Sequence, residues 1–323
     1  MATPLRAGVI GASGIGKHHV KWLKNLGCEV VGFAGTTEER VAATAQSLRD
    51  QFGFEGQGYV GVEALLGQGL DVLSVCSPPA QHFRHVMMAA RRGVHVLCEK
   101  PLVYDSARAH RLLLADAEEL VDAVADADLV GATNTQYVAA VEPIRELLSG
   151  AGLEASTPRY VFMQMESRGG PQGSEFEKIW IDLASHPISV ILALAGPGEI
   201  IAGSTEATVE QRRCEARFRW RGAGGRETEG HVLVRNVPEG PLTRRIIVDD
   251  AVLEYEGRND ENGVYATYLK LGGAEVRAED FVCTSIRRFL AAVRGRGRPL
   301  ASLADGLENL RLQLHLLDVA RAA

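Results

Sequence analysis

Short apolar runs separated by amphipathic stretches set the rhythm of the first 135 positions. Ala7–Ile10, Cys28–Ala34, Leu70–Ser77, Val94–Pro101 and Asp128–Asn134 read as buried strands. Helical patterns fall between them: one after the glycines at 11–16, then Thr37–Phe52, Pro79–Gly93 and Asp105–Ala125. Thr36 or Thr37 can cap the second of these, and Gly93 ends the third. A glycine-rich connection at 53–61 has room for one short strand. Strand and helix alternating at this spacing imply an α/β unit with a doubly wound parallel sheet.

Past about residue 135 the period changes to two. Cys214, Ala216, Phe218 and Trp220 alternate with Glu215, Arg217, Arg219 and Arg221, the pattern of a half-buried antiparallel strand with its arginines in water. Gly222–Gly225 make the turn and Glu229–Arg235 return. Arg159–Glu166, Thr243–Asp250, Ala251–Gly257 and Val264–Gly272 add strands, and helices are expected near 138–149, 180–195, 280–294 and 303–321. The expectation is a parallel α/β domain over 1–135, followed by an α+β substrate-binding and oligomerisation domain over 136–323 with a large, mostly antiparallel open sheet. Helices can cover one face of that sheet. The other is expected to close in a homodimer or homotetramer, with Phe218 or Trp220 on one side of it.

Composition narrows the function. A hydrophobic share of 46% fills two cores, yet no segment is long and apolar enough to span a membrane. The N-terminal stretch lacks a basic region followed by an apolar one, so no signal peptide is expected. A net charge of −6 with both signs interspersed argues against a nucleic-acid surface. The five cysteines are scattered, without metal or disulfide spacing, which fits a reducing cytoplasm and no bound metal.

The stretch after the first strand reads GASGIG. An apolar run, a glycine turn and a helix form the first βα unit of a dinucleotide fold, where unpaired N–H groups and the helix dipole attract a pyrophosphate. The fingerprint maps onto Gly11, Ser13 and Gly16, with serine in place of the middle glycine, and Gly14 and Ile15 complete the loop. After the second strand, Gly35, Thr36 and Thr37 occupy the positions where an NAD enzyme usually places an acid on the ribose. The threonine hydroxyls, with Arg40, suit a 2′-phosphate, so NADP is favoured over NAD.

SVCSPPAQHFRHVMMAARRGVHVLCEKPL (74–102), together with the glycine turn and the later DLASHPIS, resembles the Gfo/Idh/MocA family of glucose–fructose oxidoreductase, inositol dehydrogenase and rhizopine catabolism proteins. The resemblance covers essentially the whole chain. It implies a Rossmann domain and an NAD(P)-dependent oxidoreductase acting on a sugar, cyclitol or related polyol. It also implies homo-oligomers packed through the open sheet. Within that frame Glu99, Lys100 and Pro101 end a strand at the edge where ligands bind, and Ser77, Pro78 and His82 lie near the nicotinamide. Lys100 can hydrogen-bond the nicotinamide ribose and a substrate hydroxyl, with Glu99 holding it. Asp182 and His186, spaced i, i+4, would share one helix face. They read either as a proton relay, with His186 taking the hydroxyl proton and Asp182 orienting substrate or histidine, or as a cap and a satisfied core histidine. His18 and His19 read as solvated helix surface. Three departures from the family pattern bear on specificity: FEKIWID lacks a glycine pair, Ser189 replaces an aspartate, and NTQYVAA lacks an arginine. A family member using NAD(P) without net redox and a non-catalytic NAD(P) sensor stand as alternatives.

Overall fold

The computed structural model describes residues 3–153, 157–169, 176–261 and 263–322. The apolar runs of the first half form β1 (Arg6–Ile10), β2 (Glu29–Gly35), β3 (Gln57–Val60), β4 (Val72–Val75), β5 (His95–Glu99) and β6 (Gly131–Asn134). They pair in parallel in the order β3-β2-β1-β4-β5-β6. Between them run α1 (Gly16–Asn25), α2 (Glu38–Phe52), α3 (Val62–Leu66), α4 (His82–Ala90) and α5 (His110–Asp126). The order reverses between β1 and β4, and ligands bind such sheets in the crevice beyond the strand ends at that point. Local chemistry supports each piece: the Thr37 side chain caps α2, and Gly53 ends it in the left-handed region at φ 60°.

The second half builds one nine-stranded sheet. After α6 (Val141–Gly150) come β7 (Tyr160–Arg168), α7 (Phe176–Leu183) and α8 (Ser185–Ala195). The strands β8 (Gly198–Ile200), β9 (Glu206–Glu210), β10 (Arg213–Gly222), β11 (Glu227–Val237), β12 (Arg244–Val248), β13 (Ala251–Asn259), β14 (Tyr265–Leu271) and β15 (Ala274–Glu279) follow. The path is β15-β14-β13-β12-β7-β11-β10-β8 with β9 beside β10; β7 and β11 pair in parallel and the other neighbours are antiparallel. Helices α6, α7 and α8 pack on one face of it. The edge strands β8, β9 and β15 escape the sequence pattern because they are short or exposed.

Two compact units result: Met1–Asn134 with Val282–Leu307, and Thr135–Phe281 with Glu308–Ala323. This corrects the expectation that everything past 135 belongs to the second domain. Val282, Ile286, Phe289 and Leu290 of α9 (Phe281–Val293) join Val9, Val20, Leu23 and Phe33 in the core of the first unit. The last helix, α10 (Leu303–Ala322), spans the change of unit at Leu307.

Phe218 and Trp220 do not flank an open face. Both are almost fully buried, and β10 meets α7 on the helix-covered side. The opposite face carries ion pairs: Arg217 with Glu215 along β10 and with Glu229 across on β11, and Arg219 and Arg221 with Glu227 on β11. That outer face is laced with charge, because the alternation of β10 leaves its apolar set inward.

Candidate active site

The first unit offers a dinucleotide cradle. Gly11 has φ +81°, and a Cβ there would lie 2.5 Å from the Cys76 carbonyl oxygen. Its N–H donates to the Ala34 carbonyl at 3.1 Å, so the turn is seated on the ends of β2 and β4. A Cβ on Gly16 would meet the Gly11 carbonyl oxygen at 2.3 Å, which is why α1 begins with glycine. Gly14, by contrast, faces open space, and Ser13, Gly14 and Ile15 are exposed.

A cavity of about 720 Å³ runs past this turn. Gly11 and Ser13, Thr36 and Arg40, and Ser77 and Pro78 all line it, joining the ends of β1, β2 and β4. The residues fit a dinucleotide: slim backbone beside the first turn of a helix, and a crevice at the topological switch point. The lining also includes Val62, Glu63, Arg84 and His85, which sequence reasoning did not single out. They arrive from α3 and α4 through sheet order, for which no local motif exists. Glu63 and Arg84 form a wide-open ion pair at 3.4 Å.

Other expected cofactor residues play structural parts. The Thr37 hydroxyl accepts from the Arg40 N–H at 3.3 Å as the cap of α2. His82 is fully buried, which corrects its placement at a pocket rim. Its Nε2 lies 2.7 Å from the Ser77 carbonyl oxygen and its Nδ1 3.0 Å from that of Pro101. Burial lowers its pKa against the pull of those carbonyls, and a neutral ring donates to one of them. His85, not His82, reaches the cavity, and its Nδ1 sits 2.9 Å from Ser77 Oγ.

At the end of β5, Glu99 is 6% exposed. Its Oε1 lies 3.0 Å from His19 Nε2 and accepts from Asn134 Nδ2 at 2.5 Å, while Oε2 accepts from the Lys100 N–H at 3.3 Å. Burial by itself would raise the carboxyl pKa. Hydrogen bonds and charge from His19, the Asn134 amide and Lys100 outweigh it and hold the group below the ordinary carboxylate range. His19 is thus a fully buried partner of Glu99 and not solvated surface. Cys76 Sγ lies within 4.8 Å of a ring nitrogen of His19 and a carboxylate oxygen of Glu99, and the Asn134 NH₂ group, 3.2 Å from His19 Nε2 and 2.5 Å from Glu99 Oε1, joins the same cluster. The half-buried Lys100 follows directly, and its peptide to Pro101 is cis.

In the second unit, Asp182 and His186 do not share one helix. Asp182 ends α7, His186 opens α8, and the two axes bend by 44° around Ala184. Pro187 at the third position of α8 accounts for the break, since it has no N–H to continue the ladder from α7. His186 is 7% exposed and Asp182 lies on the surface. The Tyr137 ring, from the 3₁₀ segment Gln136–Ala140, lies 4.7 Å from the His186 ring. Ser189 Oγ donates to the His186 carbonyl at 2.7 Å, so the serine that replaces the family's aspartate turns back into the helix. Asn309 and Gln313 of α10 tie down the same bend through Ser185, Trp180 and Ile181 carbonyls. Trp180 Nε1 donates to the Gln313 carbonyl at 2.9 Å, and the Glu166 carboxylate accepts from Arg235, Gln164 and the Thr243 N–H.

Residues 5–131 match the family model described as an oxidoreductase family with an NAD-binding Rossmann fold. Across the whole length, the chain is 24% identical over 325 residues to UDP-N-acetylglucosamine 3-dehydrogenase of Acidithiobacillus ferrooxidans, covering 98% of this chain and 96% of that one. A solved structure of that dehydrogenase superposes with a TM-score of 0.75 at 21% identity, covering 99% of both chains. A levoglucosan dehydrogenase in complex with NADH and levoglucosan superposes with a TM-score of 0.74 at 17% identity, covering 99% of this chain and 98% of that one. With six parallel strands, the glycine turn and Glu99-Lys100-Pro101 at the end of β5, residues 5–131 thus match the NAD-binding Rossmann domain of the Gfo/Idh/MocA oxidoreductase family.

Proposed function

We propose that this protein oxidises a CH–OH group, or reduces the matching ketone, on a sugar, cyclitol or related polyol. The observation that carries the reading is the cavity past Gly11 and Ser13 in a unit where Lys100 follows directly on the end of β5. When bound there, NAD(P) supplies the acceptor or donor of the hydride. The chain supplies the rest. His186 takes the hydroxyl proton during oxidation and returns it during reduction, and Lys100 donates a hydrogen bond to the substrate oxygen as charge develops on it. Glu99 fixes the backbone of Lys100 through its N–H. Thr36 and Arg40 at the end of β2, with no acid following Gly35 until Glu38, favour NADP over NAD. A homodimer or homotetramer forms through the outer face of the nine-stranded sheet.

The test is turnover on a panel of polyols and keto-sugars, read at the nicotinamide absorbance. Lys100→Ala and His186→Ala are each expected to lower kcat by about 10²–10⁴-fold, with cofactor affinity little changed for His186→Ala. Near-wild-type turnover in both variants would overturn the assignment even with the fold unchanged.

A further inference from the structure

The helix-covered face of the nine-stranded sheet carries one arginine that its own fold does not use. Arg244 opens β12 on the same side as the fully buried Ile246, one register step from the core. Its Nε is buried and meets no hydrogen-bond partner. Among the described residues no carboxylate pairs with it, whereas Arg217, Arg219, Arg221, Arg258 and Arg277 of other strands in the sheet all have acidic partners. Its contact is a ring: the guanidinium carbon lies 5.5 Å from the centre of Tyr255.

That ring leads to the proposed proton acceptor. Tyr255 is 5.5 Å from Tyr137, and Tyr137 is 4.7 Å from His186, all centroid to centroid. Phe281 backs both tyrosines at 5.9 and 5.7 Å. Tyr265, 42% exposed, hydrogen-bonds Tyr255 at the lip of the group. Asp280 acts on the Tyr265 phenol but makes no ion pair with Arg244. Burial raises the Tyr255 phenol, so the rings next to Arg244 stay neutral and leave its charge uncompensated.

A guanidinium whose Nε is buried and which has no acid beside it leaves that donor unsatisfied unless a ligand completes it. Aromatic faces beside it suit the apolar face of a sugar ring. From this we infer that Arg244 is an anion-binding subsite: the substrate is a sugar derivative bearing a carboxylate or phosphate, held by Arg244 while Tyr137 and Tyr255 place its ring beside His186. This rests on the proposed dehydrogenase reading and narrows its substrate class. Guanidinium recognises both anions through paired N–H donors, so the two sources are separated by experiment.

The probes are D-glucose, D-glucuronate, D-glucose 6-phosphate and UDP-N-acetylglucosamine. Hydride transfer is followed with each, and binding to the cofactor-loaded protein is measured by calorimetry. At least one anionic probe is expected to exceed glucose by tenfold or more in kcat/KM or affinity; which one does so identifies a ring carboxylate, a phosphate or a diphosphate. In Arg244→Gln that preference should shrink by about 10- to 100-fold, carried by KM, and Arg244→Lys should recover part of it. The wild-type preference is informative even without a folded variant. Equal use of glucose and all three anions, or an unchanged preference in Arg244→Gln, overturns the subsite while leaving a dehydrogenase intact. Arg244-dependent binding of an anion with no hydride transfer to any probe supports the subsite and counts against the dehydrogenase reading.

Discussion

Replacing Glu99 by glutamine tests the network that fixes the end of β5. The carboxylate is 6% exposed and receives three donors: His19 Nε2 at 3.0 Å, Asn134 Nδ2 at 2.5 Å and the Lys100 N–H at 3.3 Å. A glutamine of the same shape has one acceptor oxygen. If that oxygen keeps His19 and Asn134, the new NH₂ group points at the Lys100 amide, donor against donor. One bond is lost and two lose their charge assistance. With bonds to charged groups contributing about 1.5–3 kcal/mol and neutral ones about half that, Glu99→Gln should destabilise the protein by about 3–6 kcal/mol. The assay is urea unfolding followed by circular dichroism at pH 8. The pH dependence adds a second reading. Because the folded carboxyl is held below its unfolded value of about 4.3, its stabilisation is complete above that pH and fades as pH falls through the lower folded value. The gap between wild type and variant should therefore narrow below about pH 4. A loss under about 1 kcal/mol at pH 8, or a gap that persists in acid, would refute the reasoning.

Gly11→Val should unfold the turn and lose cofactor together, because its Cβ drives into the Cys76 carbonyl, whereas Gly14→Ala should keep the wild-type midpoint in scanning calorimetry. A fully stable Gly11→Val that merely failed to bind cofactor would contradict this. Fluorescence titration should show NADPH binding more tightly than NADH, and Arg40→Glu should reverse the order; NADH tighter by tenfold in the wild type would rule out the phosphate role of Thr36 and Arg40. Burial first, then the proximity of His82 and the positive charge of Arg84, hold the His85 imidazole at about 4, while in the unfolded chain it protonates near 6.5. Protons then favour the unfolded state in between, so stability should fall as pH drops from about 6.5 towards 4, and less steeply in His85→Gln by urea titration at a series of pH values.

Much of this protein is dictated locally. The central parallel strands β1, β4 and β5 are built on short apolar runs and β10 alternates strictly, since strands buried on both faces and on one face leave different periods in the chain. Gly11, Gly16 and Thr37 are likewise legible, because a left-handed turn, a close backbone approach and a helix cap each demand a particular residue type. What side chains meet across the sequence is another matter. His19 looks like helix surface until α1 lies against the end of β5, 80 residues away, and makes it the partner of Glu99. His82 and His85 differ by one helical turn, and only the seating of α4 turns the first into the interior and the second to the cavity. The i, i+4 spacing of Asp182 and His186 suggests one face, but the bend at Ala184 separates α7 from α8. Arg244 reads as one more arginine in a strand of arginines. Its lack of an acid is a property of the neighbouring strands, which place their carboxylates on other partners, and pairing between distant strands is set by the tertiary structure and by no local pattern of residues.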